Sequence, residues 1–192
     1  MKQTEKRPVG RPSAREKILD AAEKAVLVDG AQSLRLEDVA VRAGVSKGGL
    51  FYHFPTKDDL LRAMVSRLIE RSDRAEAEQE ERLRDGPNPR LRAIIAQAGA
   101  EQPKDDQLSA ALLVAVANDL SLLSPIRDLV RERFQSHRGS TVGFGAAATV
   151  ELAIAGLSIL EILGLAPLGE EDRRSVLQWL DDLASDEAPP RD

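Results

Sequence analysis

The chain has 192 residues, of which 42% are hydrophobic, 31% are charged and only 3% are aromatic, and its formal net charge is −5. This balance is typical of a soluble globular protein, and a composition dominated by Ala, Leu, Glu and Arg favours helices over strands. Cysteine is absent, which excludes disulfides, zinc ribbons and thiol catalysis and is consistent with a cytoplasmic location.

The charge is distributed unevenly along the chain. Residues 1–57 carry a net charge of +4, whereas the remainder carries −9. This asymmetry indicates nucleic acid as the partner of the N-terminal part. Residues 1–12 are polar and basic, have no apolar core and are expected to form a flexible arm. Their Gly-Arg-Pro segment either lies in an A·T-rich minor groove or is a soluble leader, and both interpretations stay open.

A capping box opens the first predicted helix. Ser13 and Glu16 have the Ser-x-x-Glu spacing in which each residue satisfies a backbone N–H near the other. Apolar residues then recur at helical spacing until Asp29 and Gly30. We therefore predict a helix from Ser13 to about Asp29.

A helix-turn-helix is predicted next. Short helices fit residues 36–43 and 47–54, and Gly44 stands where a left-handed C-cap residue is needed. Ser46 can cap the third helix, and Pro55 ends it. Two short helices joined by three residues that include a glycine describe a helix-turn-helix, whose second helix enters the major groove. The alternative is a helical hairpin that only packs.

The third helix has an unusual composition. Gly48 and Gly49 each cost about 1 kcal/mol in a helix interior, and such glycines allow a helix to approach the groove closely. The alternative is that glycines in a first turn cost less. Leu50 and Phe54 are expected to face the core, which leaves four side chains for DNA: Lys47, Phe51, Tyr52 and His53.

The rest of the chain is predicted to be helical as well. A fourth helix fits residues 57–84, and the remaining helices fit residues 90–100, 106–122, 125–136, 144–163 and 169–183. The longest apolar run contains Glu151 and Glu161, so we predict no membrane span. The predicted organisation is a flexible arm (1–12), a helix-turn-helix domain (13–57), a ligand-binding and dimerisation domain (58–185) and a disordered tail (186–192).

Residues of the helix-turn-helix domain resemble a known family. The matching positions are Ala40, the run from Ala43 to Leu50, the run from Tyr52 to Phe54, and Lys57. This pattern, within residues 13–61, is similar to the DNA-binding domain of the TetR family of transcriptional repressors. The remaining two thirds of the chain match that family only in helical character and length.

The resemblance implies roles for residues on and near the third helix. Lys47, Gly48 and Gly49 would face the bases, with Lys47 the best donor to a guanine edge, and Phe51 would touch a thymine methyl group. Phosphate contacts are expected from Tyr52, His53 and Lys57, and Ser46 belongs to the same surface. At Arg35 and Leu36 the chain departs from the family, which commonly has Ser or Thr there. Arg35 can still reach a phosphate, but a hydroxyl cap on the second helix is lost, and Ser33 is an imperfect substitute.

The resemblance also implies a homodimer and a small-molecule pocket. The last two long helices would pair with their symmetry mates, and Trp179 lies either in the core or at the dimer seam. The expected pocket lies among the fourth to eighth helices, with Met64, Leu68, Ile95, Leu112, Leu113, Val116, Asn118, Phe134 and Phe144 as candidate ligand contacts, and Asp119 as a second polar group. Glu151, Ser158 and Glu161 share one helical arc, which we interpret as solvated or at the dimer rim, the alternative being a pocket wall for a cationic ligand.

The predicted protein is thus an all-α regulator with an N-terminal three-helix helix-turn-helix domain and a C-terminal helical ligand-binding and dimerisation domain. Its partners would be double-stranded operator DNA, a small-molecule effector and a second copy, with no membrane, cofactor or metal. Repression is expected, and activation stays open. The alternatives are an architectural DNA-binding protein without sequence preference, or a helical interaction protein. An enzyme is not predicted, because the chain has only two histidines and no catalytic motif.

Overall fold

The computed structural model describes residues 13–100 and 103–185, and within these ranges the chain is helical and contains no strand. The predicted all-α fold is confirmed. The predicted arm (1–12) and tail (186–192) lie outside the described residues. The α-helices are α1 Ala14–Asp29, α2 Leu36–Ala43, α3 Lys47–His53, α4 Lys57–Leu83, α5 Pro89–Ala98, α6 Pro103–Asn118, α7 Ser124–Ser136, α8 Gly143–Ile162 and α9 Glu170–Ser185, with 3-10 helices at Leu120–Leu123 and His137–Gly139.

Side-chain caps fix the ends of most of the N-terminal helices. The Ser13 hydroxyl accepts a hydrogen bond from the Glu16 N–H at 3.2 Å, and the Ser46 hydroxyl accepts one from the Gly49 N–H at 3.0 Å. Gly44 ends α2 with φ 66° and ψ 35°, the left-handed conformation that glycine adopts without steric cost. In contrast, α2 begins at Arg35 without a side-chain cap, so Ser33 does not replace the missing hydroxyl.

The prediction for α6 is wrong at its C-terminal end. A continuous helix was expected to residue 122, but α6 ends at Asn118, and Asp119 is extended with φ −146° and ψ 99°. The Asp119 carboxylate accepts a hydrogen bond from the Ser121 N–H at 2.8 Å and begins the 3-10 helix. Asp119 is therefore a capping residue in this structure, because its short side chain competes for the local backbone.

The helices enclose two hydrophobic clusters. The N-terminal cluster, formed by α1 to α4 and α6, has Ile18, Leu50, Leu60 and Leu108 fully buried. The C-terminal cluster is formed by α5, α8 and α9. The N-terminal cluster extends across the predicted domain boundary after residue 57. The first half of α4 and most of α6 pack against helices α1 to α3, which form the reading head.

A buried ionic network joins α4, α7 and α8. The Arg133 guanidinium donates to Glu151 at 3.2 Å, to Glu76 at 2.6 Å and to Asp73 at 3.1 Å. The His137 Nε2 lies 3.1 Å from the other oxygen of Glu151. Glu151 is 9% exposed, so its interpretation as a solvated or rim residue is wrong: its charge is balanced inside the protein, as burial requires.

Glu161, which belongs to the same predicted arc, lies in a different environment. Glu161 is half-buried and accepts hydrogen bonds from Arg173 of α9.

Among the described helices, α8 is long and apolar enough to span a membrane by length and composition. It nevertheless carries Glu151 and packs one face into the C-terminal cluster, as a helix of a globular protein does.

Asn88 connects both ends of the C-terminal helical region. It has a left-handed backbone with φ 43° just before α5. Its side-chain amide donates to the carbonyl of Ala184 at 3.0 Å, and its Oδ1 accepts hydrogen bonds from the hydroxyls of Ser140 and Thr141 at 3.1 and 3.0 Å. One side chain thereby ties the start of α5 to the segment before α8 and to the end of α9.

Candidate nucleic-acid interface

Helix α3 presents one face to the core and the opposite face to solvent. Leu50 is fully buried and Phe54 is 3% exposed, as the four-residue spacing predicts. Lys47 and Gly48 are exposed, and Tyr52 is 84% exposed. A helix that reads the major groove must leave such side chains accessible in the free protein. The outward face of α3 is therefore the candidate site.

The space around Gly48 and Gly49 shows whether the fold itself requires glycine at these positions. A Cβ atom added at Gly48 would meet nothing within 4 Å, whereas one at Gly49 would lie 3.2 Å from the Ser46 hydroxyl oxygen. Gly49 therefore has a local reason, the cap of its own helix. No such reason applies to Gly48, because the described residues leave open space at its Cβ position.

Two of the predicted contacts are partly engaged within the protein. Phe51 is half-buried and packs against the N-terminal cluster, and the Lys47 ammonium lies 5.6 Å from the centre of its ring. His53 is half-buried and meets the Tyr52 ring edge-on, with ring centres 5.2 Å apart. Phe51 thus both fills the core and supports Lys47, which the sequence analysis did not foresee.

Glu37 was missed by the sequence analysis. Its carboxylate lies 3.2 Å from the Lys47 ammonium, and both side chains are well exposed. A hydrogen bond from its own backbone N–H at the start of α2, together with Lys47, lowers the pKa of Glu37. No signal in the sequence pointed to it, because the two residues are ten positions apart and meet only through the packing of α2 against α3.

The predicted phosphate contacts at the edges of the head have distinct environments. The Lys57 ammonium donates to the Gln32 carbonyl at 2.7 Å and so fastens the start of α4 to the loop before α2. Arg35 is exposed at the N-terminus of α2. Lys57 follows α3 in the chain and Arg35 precedes α2, and both are cations of the kind that bind an anionic backbone.

The predicted effector contacts fall in different places. The N-terminal cluster holds Met64, Leu112 and Val116 buried, with Leu68 packed against it. Ile95 belongs to the C-terminal cluster. Leu113 and Phe134 are half-buried, Phe144 is 38% exposed, and the side chain of Asn118 is not among those described. The structure therefore brings four of the nine together, in the core shared with the reading head.

Comparison with known proteins decides the family. The model for bacterial regulatory proteins of the tetR family matches residues 18–64. The model for the tetracyclin repressor-like C-terminal domain matches residues 88–185, which is half of the chain. The chain belongs to the TetR family. The resemblance seen in the sequence is thus confirmed, and the family is one of transcriptional regulators with a DNA-binding helix-turn-helix.

Individual curated relatives match only part of this TetR family member. The HTH-type transcriptional regulator TtgR of Pseudomonas putida is 37% identical over 59 residues, which are 31% of this chain and 28% of that protein. The match thus spans less than a third of the relative's length.

Solved structures cover the chain more fully. A TetR-family regulator from a Rhodococcus species superposes with a TM-score of 0.68 at 23% identity, over 90% of this chain and 98% of the other. The multidrug binding protein EbrR complexed with malachite green gives 0.67 at 25% identity, over 88% and 98%. These likenesses support the fold over both halves of the chain.

Proposed function

We propose that this protein is a repressor that binds a pseudo-palindromic operator as a homodimer and is released by a small-molecule effector. The observation that carries the proposal is the outward face of α3, where Gly48 has no reason inside the fold. Its proposed DNA contacts are Arg35, Ser46, Lys47, Gly48, Gly49, Phe51, Tyr52, His53 and Lys57. Lys47 donates to a guanine edge, and the others position the helix on phosphates or admit it into the groove.

An apolar surface on α8 and α9 supports the homodimer. Leu152 is 62% exposed and Trp179 is 60% exposed, although the opposite faces of both helices form the C-terminal cluster. Further exposed apolar side chains on this surface are Ile159, Leu160, Leu163 and Val176. A contiguous apolar patch on a soluble protein marks an interface. A second copy covers it by twofold symmetry and places two reading helices on successive turns of DNA.

Helix α4 is the proposed path from effector to DNA. Near its middle, Arg67 and Arg71 bind acidic side chains of α1, including the buried Glu23 at 3.5 and 2.9 Å. At its C-terminal half, Glu76 binds Arg133 of α7. An effector that prefers a shifted α4 would move the reading helices apart, and only that preference can drive the change.

A drug-like organic molecule is the proposed effector class, by analogy with EbrR, a multidrug binding protein. The proposed contacts remain Met64, Leu68, Ile95, Leu112, Leu113, Val116, Asn118, Phe134 and Phe144. Since Met64 and Leu112 are already packed in the N-terminal cluster, a ligand that reaches them must displace core contacts. This links effector binding directly to the packing of the reading head.

We propose that the regulator acts in the cytoplasm, without cofactor.

Selection from random duplexes tests the proposal. The full chain should enrich a palindrome with half-sites about 34 Å apart, and Lys47→Ala should weaken binding to that palindrome about tenfold. Lys24→Ala is the matched control, since Lys24 is an exposed lysine on α1, and it should bind normally. Repeating the binding with a panel of organic compounds should identify one that releases DNA. Weak binding to every duplex alike would instead favour the architectural alternative.

A further inference from the structure

The ion pair between Glu37 and Lys47 lies on the proposed DNA-reading surface. Their charged groups are 3.2 Å apart, so whatever Lys47 reaches in the groove is also within reach of Glu37. The Phe51 ring, 5.6 Å from the ammonium, gives Lys47 a further support. An ammonium has three N–H donors and a carboxylate about four acceptor positions, so both groups keep capacity for DNA while they remain paired.

A paired donor and acceptor match the edge of a base pair. In the major groove, guanine O6 is an acceptor and cytosine N4 a donor, and these two atoms are bonded to each other across the pair. Their separation is that of an N–H···O hydrogen bond, about 2.9 Å. The ammonium and carboxylate at 3.2 Å have nearly the same spacing with opposite polarity. Lys47 can therefore donate to O6 while Glu37 accepts from N4.

The neighbouring groove atoms favour G·C over T·A. Beyond O6, guanine offers N7 as a second acceptor for the lysine. In a T·A pair the lysine would donate to thymine O4 with a methyl group beyond it, and the carboxylate would accept from adenine N6 beside the repelling N7 acceptor. Only the G·C orientation gives each charged group favourable neighbours.

We propose that Glu37 is a specificity-determining residue, which together with Lys47 reads one G·C base pair in each half-site, with guanine on the side of Lys47. This inference rests on the proposed operator binding. It adds a role in DNA recognition to a carboxylate that, in the free protein, accepts a hydrogen bond at the start of α2 and pairs with Lys47. The pair with Lys47 itself adds little to folding, because both side chains are exposed.

Binding to modified operators tests the assignment. The selected duplex is compared with duplexes that carry N4-methylcytosine at one position at a time, which keeps the base pair and blocks the groove-facing N4–H. We expect the full wild-type chain to lose about tenfold in affinity at one cytosine of each half-site. Glu37→Ala should lose nothing at that cytosine.

Asp38→Ala is the matched control. Asp38 is the next residue of α2, is exposed, and carries the same charge in the same first turn, so its removal changes the net charge equally. It should retain the wild-type sensitivity to N4-methylcytosine. Sensitivity of Glu37→Ala equal to that of wild type, or wild-type indifference at every cytosine, would overturn the inference alone. Failure of the wild type to select any sequence would overturn the proposed function with it.

Discussion

Gly48 separates the demands of folding from those of DNA binding. Since a Cβ atom there meets nothing within 4 Å, Gly48→Ala should raise the free energy of unfolding by up to about 1 kcal/mol. The same methyl group would stand between α3 and the groove floor, and we expect operator affinity to fall about tenfold or more. Denaturant unfolding and operator titration measure the two effects.

Gly145→Ala is the control for that prediction. Gly145 also lies in the first turn of a helix, α8, and has open space at its Cβ position. Its replacement should change stability in the same direction and leave operator affinity unchanged. If Gly48→Ala bound DNA as tightly as the wild type, close approach would not be the reason for that glycine.

Single residues on α3 were predictable to different degrees. The burial of Leu50 and Phe54 and the exposure of Lys47 follow from helical periodicity alone. The partial burial of Phe51 does not, because it depends on how deeply the neighbouring helices pack around its ring. Glu37 was missed for a related reason: its partner is ten positions away, and only the angle between α2 and α3 brings them together.

The network that joins α4, α7 and α8 should give the protein an unusual pH dependence. Burial raises the pKa of Glu76 above its usual 4.5; Arg133 opposes this shift, and the charges of Asp73 and Glu151 add to it. The folded state therefore holds the Glu76 proton more tightly than the unfolded state. Between 4.5 and the raised pKa, the contribution of Glu76 to stability falls as pH rises.

Glu76→Gln should remove this dependence. The difference in unfolding free energy, wild type minus variant, should decrease as the pH is raised from about 4 to about 7. Glu78→Gln is the control, since Glu78 is an exposed carboxylate on the same helix, and its difference should vary little. A wild-type advantage that grows with pH would contradict the raised pKa and indicate that Arg133 outweighs burial.

Most helix bounds were predicted to within one or two residues, including those of α2, α7 and α8, which have no side-chain cap. Ser13 and Ser46 occupy the predicted N-caps and each accepts a backbone hydrogen bond, as Thr56 does at the start of α4. The end of α6 was misplaced because the apolar run continues through Leu122, and a propensity argument cannot see that Asp119 satisfies the Ser121 N–H instead. The burial of Glu151 was equally hidden, since its partners come from α7 and the following 3-10 helix.

The proposed dimer makes a prediction about assembly. Leu152→Arg places a charge on the apolar surface of α8 and α9, where its desolvation in a dimer interface is unfavourable. We expect the variant to sediment as a monomer and to lose at least about tenfold in operator affinity, since a single reading helix binds weakly. Sedimentation velocity and operator titration provide the readouts.

Leu120→Arg controls for surface charge. Leu120 is 64% exposed, as freely as Leu152, but lies in the 3-10 helix after α6. That variant should remain a dimer and bind the operator normally. A dimeric Leu152→Arg, or a monomeric Leu120→Arg, would place the interface elsewhere.

The division of the chain into a basic N-terminal part (1–57) and an acidic remainder was evident from charge alone. The sequence did not reveal that the head (α1 to α3) shares its core with α6, because α1 and α6 are far apart in sequence and the pattern of neither helix identifies its packing partner. Consequently the head is not a freely tethered module. A shift of α6 or α4 must change the packing of the cluster around Leu50 and Leu108.

The hydrogen bond from Asn88 to the Ala184 carbonyl has a practical consequence for labelling. Helix α4 has 27 residues, so the turn that follows it lies about 40 Å from the Lys57 end of the helix. A fluorescent protein or affinity handle attached after residue 185 would leave the fold beside that turn. It would lie at the opposite end of α4 from α3, where it should not interfere with DNA binding.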